Sequence, residues 1–541
     1  MSPRILRYFV FTVLAASLES GVSFANWVAS GTFKYQDREF DRTGFTGIEP
    51  SLPVRLARVE IRDPNKNPTQ GLLAIAYTDQ NGYFSVNVVD SSIRTIAIRV
   101  LTTSSPVPGL YLSVTTRNDA YYAVTSPNYN NHSPTVNLNI GTLTAAIGSG
   151  GEAFNIYDAG LNTLSYIKDL EGAYPGSGDP LTLMWEASTG VTGCSYQGNG
   201  LIRVGDPSAY NDTIIQHESG HFARDVYSGT DTPGGVHYLS DCRQDLRLAW
   251  DEGYATFFGQ AVRHHFNLPN PHLYVKTTGQ PGAGNLDFYF DVEGESPYNC
   301  DGSSSEMVVL ALLWDLIDSS STPDGSPGTD DLNDYISGHE TRAWDVMKNY
   351  VRTATWRTLE DFWDGWFIRN HGYGSAMRLL FGSQFVEFYE DDGEPNETHT
   401  FSKALFNNGI PHHQTYFQDL GNGAGMADTD YFSFVGVARI TYKIQTRNLV
   451  GDANTSLVLY DIDGVSQIAA NDDRSVGNKS SLMEFTALRD GTYYIRSFHG
   501  SGYGVYGSYD ISVTPDQSLV GGTGPPPGSE IGVTAQRQVK H

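Results

Sequence analysis

Cysteine is scarce in this chain, which holds three of them among 541 residues: Cys194, Cys242 and Cys300. Three cysteines cannot all pair within one chain, so the simplest arrangement is one disulfide and one free thiol. We expect Cys242 to pair with Cys300, because both flank the same predicted helical region. None of the three stands in a C-x-x-C pair, which argues against a zinc site made of thiolates.

Basic residues are also few. The 35 Lys and Arg residues are outnumbered by 61 Asp and Glu residues, and the formal net charge is −26. Nucleic-acid binding needs a basic surface that neutralises phosphates, so the composition argues against a nucleic-acid partner. The acidic surface fits high solubility, and it also fits basic substrates or calcium sites in acidic loops.

Long apolar runs are absent after the N-terminal segment. The longest, Met307 to Trp314, is closed by Asp315 and falls short of the roughly 18 apolar residues that a membrane-spanning helix needs. At the N terminus a basic start precedes the apolar run Tyr8 to Ala16, and Ser23-Phe24-Ala25 supplies small residues for cleavage before Asn26. We therefore expect a signal peptide at residues 1–25 and a secreted, extracellular protein without a membrane span.

Residues 26–147 contain short β-like runs between turn signals, which predict an antiparallel β-sandwich. Within this region, the segment 57–63 (ARVEIRD) followed by 77–84 (YTDQNGYF) resembles carboxypeptidase-regulatory or transthyretin-like domains. Such domains are accessory, so the resemblance implies no chemistry here.

A glycine-rich linker at 148–151 separates this region from one with helical periodicity. The spacing of apolar residues predicts helices over 153–170, 212–227, 245–266, 306–318, 340–355 and 359–370, and a strand over 200–204. We therefore predict a mostly helical α+β domain over residues 148–418.

Residues 419–515 return to short strands with Gly, Asp and Asn turns, which predict a second antiparallel β-sandwich. The segments 428–432 (DTDYF), 459–461 (LYD), 471–473 (NDD) and 491–494 (GTYY) together resemble the bacterial pre-peptidase C-terminal domain. That resemblance implies a secreted bacterial peptidase, in which the domain is often removed during maturation. The Gly- and Pro-rich composition of residues 516–541 predicts a disordered tail.

The segment His217-Glu218-Ser219-Gly220-His221 is an H-E-x-x-H motif on a predicted helix. Residues four apart lie about one turn apart, so His217 and His221 project side by side and can share one metal ion. Glu218 is displaced around the helix, close enough to contact a water molecule without occupying a metal position. Ile215 and Phe222 define an opposite, apolar face for the core.

Glu252 stands in an apolar and aromatic helical segment, 250–258 (WDEGYATFF). A carboxylate buried there needs a cation or hydrogen-bond donors to offset its lost hydration. Zinc held by two His provides such a cation, and a two-His, one-Glu set leaves the fourth zinc position open. A salt bridge with Arg247, or a carboxylate near the helix N-terminus, is the structural alternative.

Together the two segments resemble the gluzincin metallopeptidases, in which a Glu on another helix follows H-E-x-x-H. The resemblance implies a zincin-like catalytic domain flanked by the two sandwiches, with His217, His221 and Glu252 as zinc ligands and Glu218 as the general base. The spacing to Glu252 is longer than in thermolysin-like enzymes, and Thr256 stands where those enzymes carry the Asp that orients a ligand His. Asp251 and Asp225 are the candidates for that orienting role.

The implied reaction is attack on a peptide carbonyl by water that zinc and Glu218 activate. The aminopeptidase motif G-x-M-E-N is absent, which favours an endopeptidase acting on peptides or proteins. One further donor would stabilise the oxyanion, and four candidates remain open: Tyr254, His237, Tyr238 and Tyr373. The strand over 200–204 is expected to be an edge strand that pairs with extended substrate.

Three other interpretations remain open. The acidic segments 461–464 and 471–473 offer calcium ligands, although Asx turns explain them equally well. The second interpretation is a non-catalytic secreted adhesion or glycan-binding protein that keeps a zinc site, since both sandwiches suit binding. A hydrolase acting on a non-peptide amide is the third reading.

Overall fold

The computed structural model describes residues 26–104, 109–278, 284–292, 300, 302–318, 336–354, 357–384, 386, 388, 396–416, 428–451, 453–500 and 507–516. The predicted signal peptide lies outside the described residues, as does the predicted tail apart from Asp516. The chain divides into two compact units, residues 1–218 with 275–289 and residues 219–274 with 290–541. The prediction of several domains with substantial β-structure is confirmed.

The first unit begins with two β-sheets, and buried residues alternate with more exposed ones along the strand of residues 26–36. Phe33, Val59, Ile61 and Ile98, which come from both sheets, are fully buried. Residues 26–145 contain β1 (Asn26–Gln36), β2 (Phe40–Asp41), β3 (Gly44–Phe45), β4 (Ser51–Pro53), β5 (Arg58–Arg62), β6 (Leu72–Tyr77), β7 (Tyr83–Val89), β8 (Arg94–Leu101), β9 (Leu112–Thr115), β10 (Ala123–Thr125), β11 (Tyr129–His132) and β12 (Leu138–Ala145). Strands β2, β3 and β9 lie outside these two sheets.

The prediction that this sandwich is purely antiparallel is wrong at one pair. Strand β1 pairs antiparallel with β4 and β7 but parallel with β12, where Ala29 faces Leu138. The second sheet has the order β10-β8-β5-β6, with β11 also paired to β8. A parallel pair needs a long connection, and here the rest of the sandwich supplies it.

The remainder of the first unit surrounds a small mixed sheet of order β14-β15-β13-β9. Because β9 belongs to this sheet, the sheet crosses the predicted boundary at 147/148, and the predicted domain boundaries stay predictions. The elements are helix α1 (Gly151–Glu171) and strands β13 (Leu181–Met184), β14 (Ser195–Tyr196) and β15 (Leu201–Arg203).

Three elements contain the boundaries between the two units: α2 (Asp212–Tyr227), β16 (Leu273–Thr277) and β17 (Gly284–Asp291). Helix α2 has the bounds that the sequence predicts. Its apolar face carries Ile215 and Phe222, which are both fully buried.

The other helices are α3 (Leu246–His265), α4 (Glu306–Trp314), α5 (Glu340–Asn349), α6 (Leu359–Ile368) and α7 (Gly374–Ser383). Helix α4 ends four residues earlier than predicted, because the chain tightens so that Ile317 and Asp318 both donate to the carbonyl of Trp314. Helix α5 gives way to a 3-10 turn over Val351–Thr353, and α7 was not predicted. None of the described helices is long and apolar enough to cross a membrane.

The second unit ends in a two-sheet sandwich with orders β18-β20-β25-β22-β23 and β19-β26-β21-β24. Its core is aromatic and aliphatic, with Phe432, Ile444, Leu457, Tyr493 and Ile511 buried together. Only the β18–β20 pair is parallel among the described pairs of this sandwich. The strands are β18 (Lys403–Ala404), β19 (His412–Thr415), β20 (Thr429–Gly436), β21 (Thr441–Gly451), β22 (Thr455–Tyr460), β23 (Gln467–Asn471), β24 (Leu482–Thr486), β25 (Gly491–His499) and β26 (Gly507–Pro515).

Candidate metal centre

Two glycines allow three helices to approach closely. A Cβ atom at Gly220 of α2 would lie 2.5 Å from the carbonyl oxygen of Ala255 in α3. A Cβ atom at Gly253 of α3 would lie 2.5 Å from the carbonyl oxygen of Glu306, the first residue of α4. Because only glycine lacks this atom, these contacts set the spacing of the side chains that flank them.

The polar atoms of His221, which follows Gly220, and of Glu252, which precedes Gly253, lie close together. The Nε2 atom of His221 lies 3.3 Å from Oε2 of Glu252. Two ligands at about 2.1 Å from one tetrahedral zinc ion lie roughly 3.4 Å apart, so this separation suits a shared ion. One ligand atom from each of His217, His221 and Glu252 lies within 4.8 Å of the others.

Helix α3 buries Glu252 as the sequence predicts. The side chain of Asp245 caps the helix by accepting from the backbone N–H of Arg247, and it also pairs with the Arg247 guanidinium at 2.8 Å. The residue Glu252 itself is 8 % exposed, and its neighbour Trp250 is fully buried. A cation beside Glu252 would offset the hydration that this carboxylate has lost.

Asp251 is the carboxylate that contacts the other nitrogen of His221. Nδ1 of His221 lies 3.3 Å from Oδ1 of Asp251, and Arg224 forms a buried ion pair with the same carboxylate. Of the two predicted orienting residues, Asp251 therefore contacts the ring, as a partner that fixes a metal-binding His should. Asp225 is half-buried on the same helix as His221.

Negative charge dominates around His221. Burial alone would lower its pKa, but the carboxylates of Asp251 and Glu252 outweigh burial and raise the pKa of His221 well above the ordinary value. The surplus of negative charge that favours a protonated imidazole equally favours a bound cation.

Glu218 is held from the small sheet of the first unit. The backbone N–H of Tyr196 donates to Oε2 of Glu218 at 2.7 Å, and the side chain of Glu218 is buried. The prediction that residues 200–204 form an edge strand is wrong, because β15 lies between β13 and β14. The edge position belongs to the two-residue strand β14.

A second group of potential ligands shares Glu252. His237, Glu252 and Glu306 each offer an atom within 4.8 Å of the others. Nδ1 of His237 lies 3.0 Å from Oε2 of Glu306, and its Nε2 lies 3.4 Å from Oε2 of Glu252. The hydrogen bond to Glu306, opposed by burial and assisted by the charge of Glu252, raises the pKa of His237. Glu306 was not predicted as a site residue, because it is the first residue of an otherwise apolar helix and belongs to no motif.

The four candidate oxyanion donors differ in their exposure and in the side chains that they contact. Tyr254 packs against the rings of Trp250, Phe257 and Phe258, and burial raises the pKa of Tyr254 well above its usual value. Tyr238 is 66 % exposed. Tyr373 packs against His339, with ring centroids 4.7 Å apart. His237 is the candidate whose side chain contacts Glu252.

The structure also describes the cysteines and the acidic loops. Cys242 and Cys300 form the predicted disulfide, and Cys194 is free. Burial raises the pKa of the Cys194 thiol to about 11, so the thiol stays protonated at neutral pH and is a poor nucleophile. In the predicted calcium loops, Oδ1 of Asp463 accepts from the backbone N–H groups of Val465 and Ser466, as in an Asx turn.

The chain is similar to known proteins over limited parts of its length. An uncharacterized protein of Archaeoglobus fulgidus is 32% identical over 118 residues, which cover 21% of this chain and 29% of that protein. The pre-peptidase C-terminal domain of a Bacillus anthracis collagenase is 16% identical, over 21% of this chain and 96% of that domain, with a TM-score of 0.16. A periplasmic inhibitor of g-type lysozyme from Aeromonas hydrophila is 14% identical over the same shares, with a TM-score of 0.15.

A family model also matches the chain. The model of the bacterial pre-peptidase C-terminal domain matches residues 428–497, which lie within the sandwich of the second unit. The motifs from which the sequence predicted this domain fall in the matched residues. Residues 428–497 are therefore a bacterial pre-peptidase C-terminal domain.

Proposed function

We propose that this chain is a secreted zinc-dependent peptidase that hydrolyses peptide bonds in peptides or proteins. In this proposal His217, His221 and Glu252 hold the ion, and Glu218 is the general base. The observation that carries the proposal is the convergence of two imidazoles and one carboxylate, with ligand atoms within 4.8 Å of one another. This donor set is the one that leaves zinc a position for water or substrate.

The residues around the ion have distinct tasks. When bound, zinc supplies a Lewis acid that lowers the pKa of water and polarises the scissile carbonyl. The carboxylate of Glu218, oriented by the N–H of Tyr196, accepts a proton from the attacking water and returns it to the leaving amine. Asp251 holds Nδ1 of His221 and so turns Nε2 towards Glu252.

We assign stabilisation of the oxyanion to His237. A carboxylate accepts hydrogen bonds only, so Nδ1 of His237 donates to Glu306. The neighbouring carboxylates raise the pKa of His237 and so favour the imidazolium, whose second N–H, at Nε2, faces Glu252 and is free to donate to the oxyanion. A donor fixed beside the ion stabilises charge as that charge develops on the carbonyl oxygen. The exposed ring of Tyr238 and the aromatic packing of Tyr254 suit this task less well.

The C-terminal domain supports a peptidase context, because bacterial pre-peptidase C-terminal domains accompany secreted peptidases. The expected signal peptide at 1–25 agrees with export. Endopeptidase action stays a prediction from the absent aminopeptidase motif, and calcium stays a prediction for the acidic loops.

The test combines metal content with proteolysis. We expect purified full-length protein to hold about one zinc ion per chain and to cleave unfolded casein. Glu218→Gln should lower cleavage about 100-fold or more while zinc content stays the same, because Glu218 moves the proton without binding the ion. Glu484→Gln, an exposed glutamate on β24 of the C-terminal sandwich, is the matched control and should leave both unchanged.

Two results would contradict the proposal. Undiminished cleavage by the Glu218→Gln variant would refute the assigned base. Stoichiometric zinc without cleavage of any unfolded protein would favour the rival interpretation, a non-catalytic binding protein that keeps a zinc site.

A further inference from the structure

We propose that Gln244 is a positioning residue: acting through Glu306, it aims the ring of His237 at the carboxylate of Glu252. The inference rests on the proposed function, because it assigns to Gln244 control over the donor of that reaction. Gln244 lies in the segment before α3, and it belongs to neither potential ligand group.

Gln244 holds Glu306 at two points. Its Nε2 donates to Oε1 of Glu306 at 3.0 Å, and its Oε1 accepts from the backbone N–H of Glu306 at 3.2 Å. Both residues are buried, at 7 % and 2 % exposure. With its backbone and one carboxylate oxygen held in this way, Glu306 places its other oxygen, Oε2, 3.0 Å from Nδ1 of His237.

Gln244 also reaches the segment that carries His237. The same Nε2 donates to the carbonyl oxygen of Tyr238 at 3.1 Å, one residue beyond His237. A single buried amide therefore connects the backbone beside the imidazole with the carboxylate that orients the imidazole. An amide is required because it has a donor and an acceptor: Glu has no donor when ionised, and Leu has neither.

The disulfide anchors this arrangement. Cys242 is bonded to Cys300, the hydroxyl of Ser304 donates to the carbonyl of Cys242 at 2.9 Å, and the N–H of Gln244 donates to the carbonyl of Ser304 at 2.9 Å. Residues 242–244 thus run beside residues 304–306. The covalent bond and these hydrogen bonds keep Gln244 opposite Glu306.

Loss of the Gln244 amide should affect catalysis and not metal binding. None of the contacts of Gln244 given above involves His217, His221 or Glu252, so loss of its amide should leave the ion in place. The orientation of His237 should be lost instead, which affects charge stabilisation in the transition state. The change should therefore appear in kcat, with little change in KM.

The experiment is a double-mutant cycle on the zinc-loaded full chain with labelled, unfolded casein. Gln244→Ala should lower kcat about 10- to 100-fold at one zinc per chain, the range that loss of an orienting partner produces. In a His237→Ala background the same change should have no further effect, because its target is gone. Gln467→Ala, at an exposed position of β23, is the matched control.

The inference would be overturned if the reductions in kcat of the two single variants multiplied in the double variant, or if Gln244→Ala lost zinc. Either result would mean that Gln244 has a general structural role.

Hydrogen exchange followed by mass spectrometry supplies a readout that does not depend on turnover. Exchange over residues 236–244 of the zinc-loaded protein should accelerate in Gln244→Ala and stay unchanged in the control. If the wild type cleaves nothing, the proposed function fails while this exchange result still decides whether Gln244 positions His237. Unaltered exchange would refute the positioning role.

Discussion

Replacing Gly220 by Ala should separate α2 from α3 and weaken metal binding. The added Cβ would lie 2.5 Å from the carbonyl oxygen and 2.6 Å from the Cα atom of Ala255. Both are backbone atoms, so no side-chain rotation relieves the overlap. An ordinary van der Waals contact begins at 3.4 Å, so the helices must move apart by about 0.9 Å to lengthen the 2.5 Å contact to that distance.

That displacement is large for a metal centre and moderate for the fold. Ligand positions must hold to within about 0.2 Å for a metal site to keep its affinity, and His221 adjoins Gly220. We therefore expect zinc affinity to fall at least 10-fold, which corresponds to about 1.4 kcal/mol. Overpacking of this kind destabilises a fold by about 1–3 kcal/mol, partly offset by the higher helix propensity of Ala.

The assay is competition for zinc against a chromophoric chelator, with thermal unfolding measured in parallel. Gly382→Ala is the matched control, since Gly382 lies in α7 and a Cβ there meets no atom within 4 Å. The control should bind zinc normally and should be as stable as the wild type or slightly more stable. A Gly220→Ala variant with wild-type zinc affinity would refute the claim that the glycine contact sets the distance between His221 and Glu252.

Three further predictions concern single contacts. Burial raises the pKa of Asp361 to about 7 in the folded state, above its unfolded value near 4. The folded state therefore holds this proton more tightly than the unfolded chain does. The contribution of the proton to the free energy of unfolding is complete below about pH 4 and is lost as pH rises through 7. Urea unfolding between pH 5 and 8 should accordingly show a smaller fall in stability for Asp361→Asn than for the wild type, and equal slopes would contradict this. Asp251→Asn should weaken zinc binding about 10- to 100-fold, measured by chelator competition, because it removes the charge that orients His221; unchanged affinity would speak against that role. Replacing Cys242 and Cys300 by Ser opens a loop with a sequence separation of 58 residues. The loop entropy predicts a loss of about 4 kcal/mol of stability in that region, which should lower the melting temperature. An unchanged melting temperature would contradict this prediction.

The residues of the candidate metal centre are predicted from the sequence because helical periodicity and residue chemistry point to the same positions. Helix α2 has its predicted bounds because Ile215 and Phe222 define one buried face, and both are buried. The count of three cysteines predicts one disulfide, and the pair was predicted because Cys242 and Cys300 flank the same predicted helical region. The H-E-x-x-H motif and Glu252 carry recognisable residue types, and the structure brings their ligand atoms within 4.8 Å of one another.

Other features depend on contacts between residues that are distant in sequence. Glu306 could be connected with His237 only after α4 was placed beside α3, and that placement depends on Gly253, a residue that looks like a helix defect in the sequence. Strand β14 has two residues, too few for a periodic signal, yet it takes the edge position that was predicted for its neighbour. Helix α7 starts after Tyr373, whose φ of 61° lies in the left-handed region, and no side chain caps its N-terminus.

The pairing of β1 with β12 has a consequence for how the chain acquires its structure. Strand β1 is the first described element, yet one of its edges stays unpaired until residue 138 is available to face Ala29. Closing a connection of this length costs roughly 4 kcal/mol of chain entropy, so the sheet gains its last strand late. A chain that ends before β12 would expose the backbone of β1 over Ala29–Tyr35, and an open strand edge recruits other chains. Chains that end before residue 138 should therefore aggregate more readily than chains that include β12, a difference that light scattering measures.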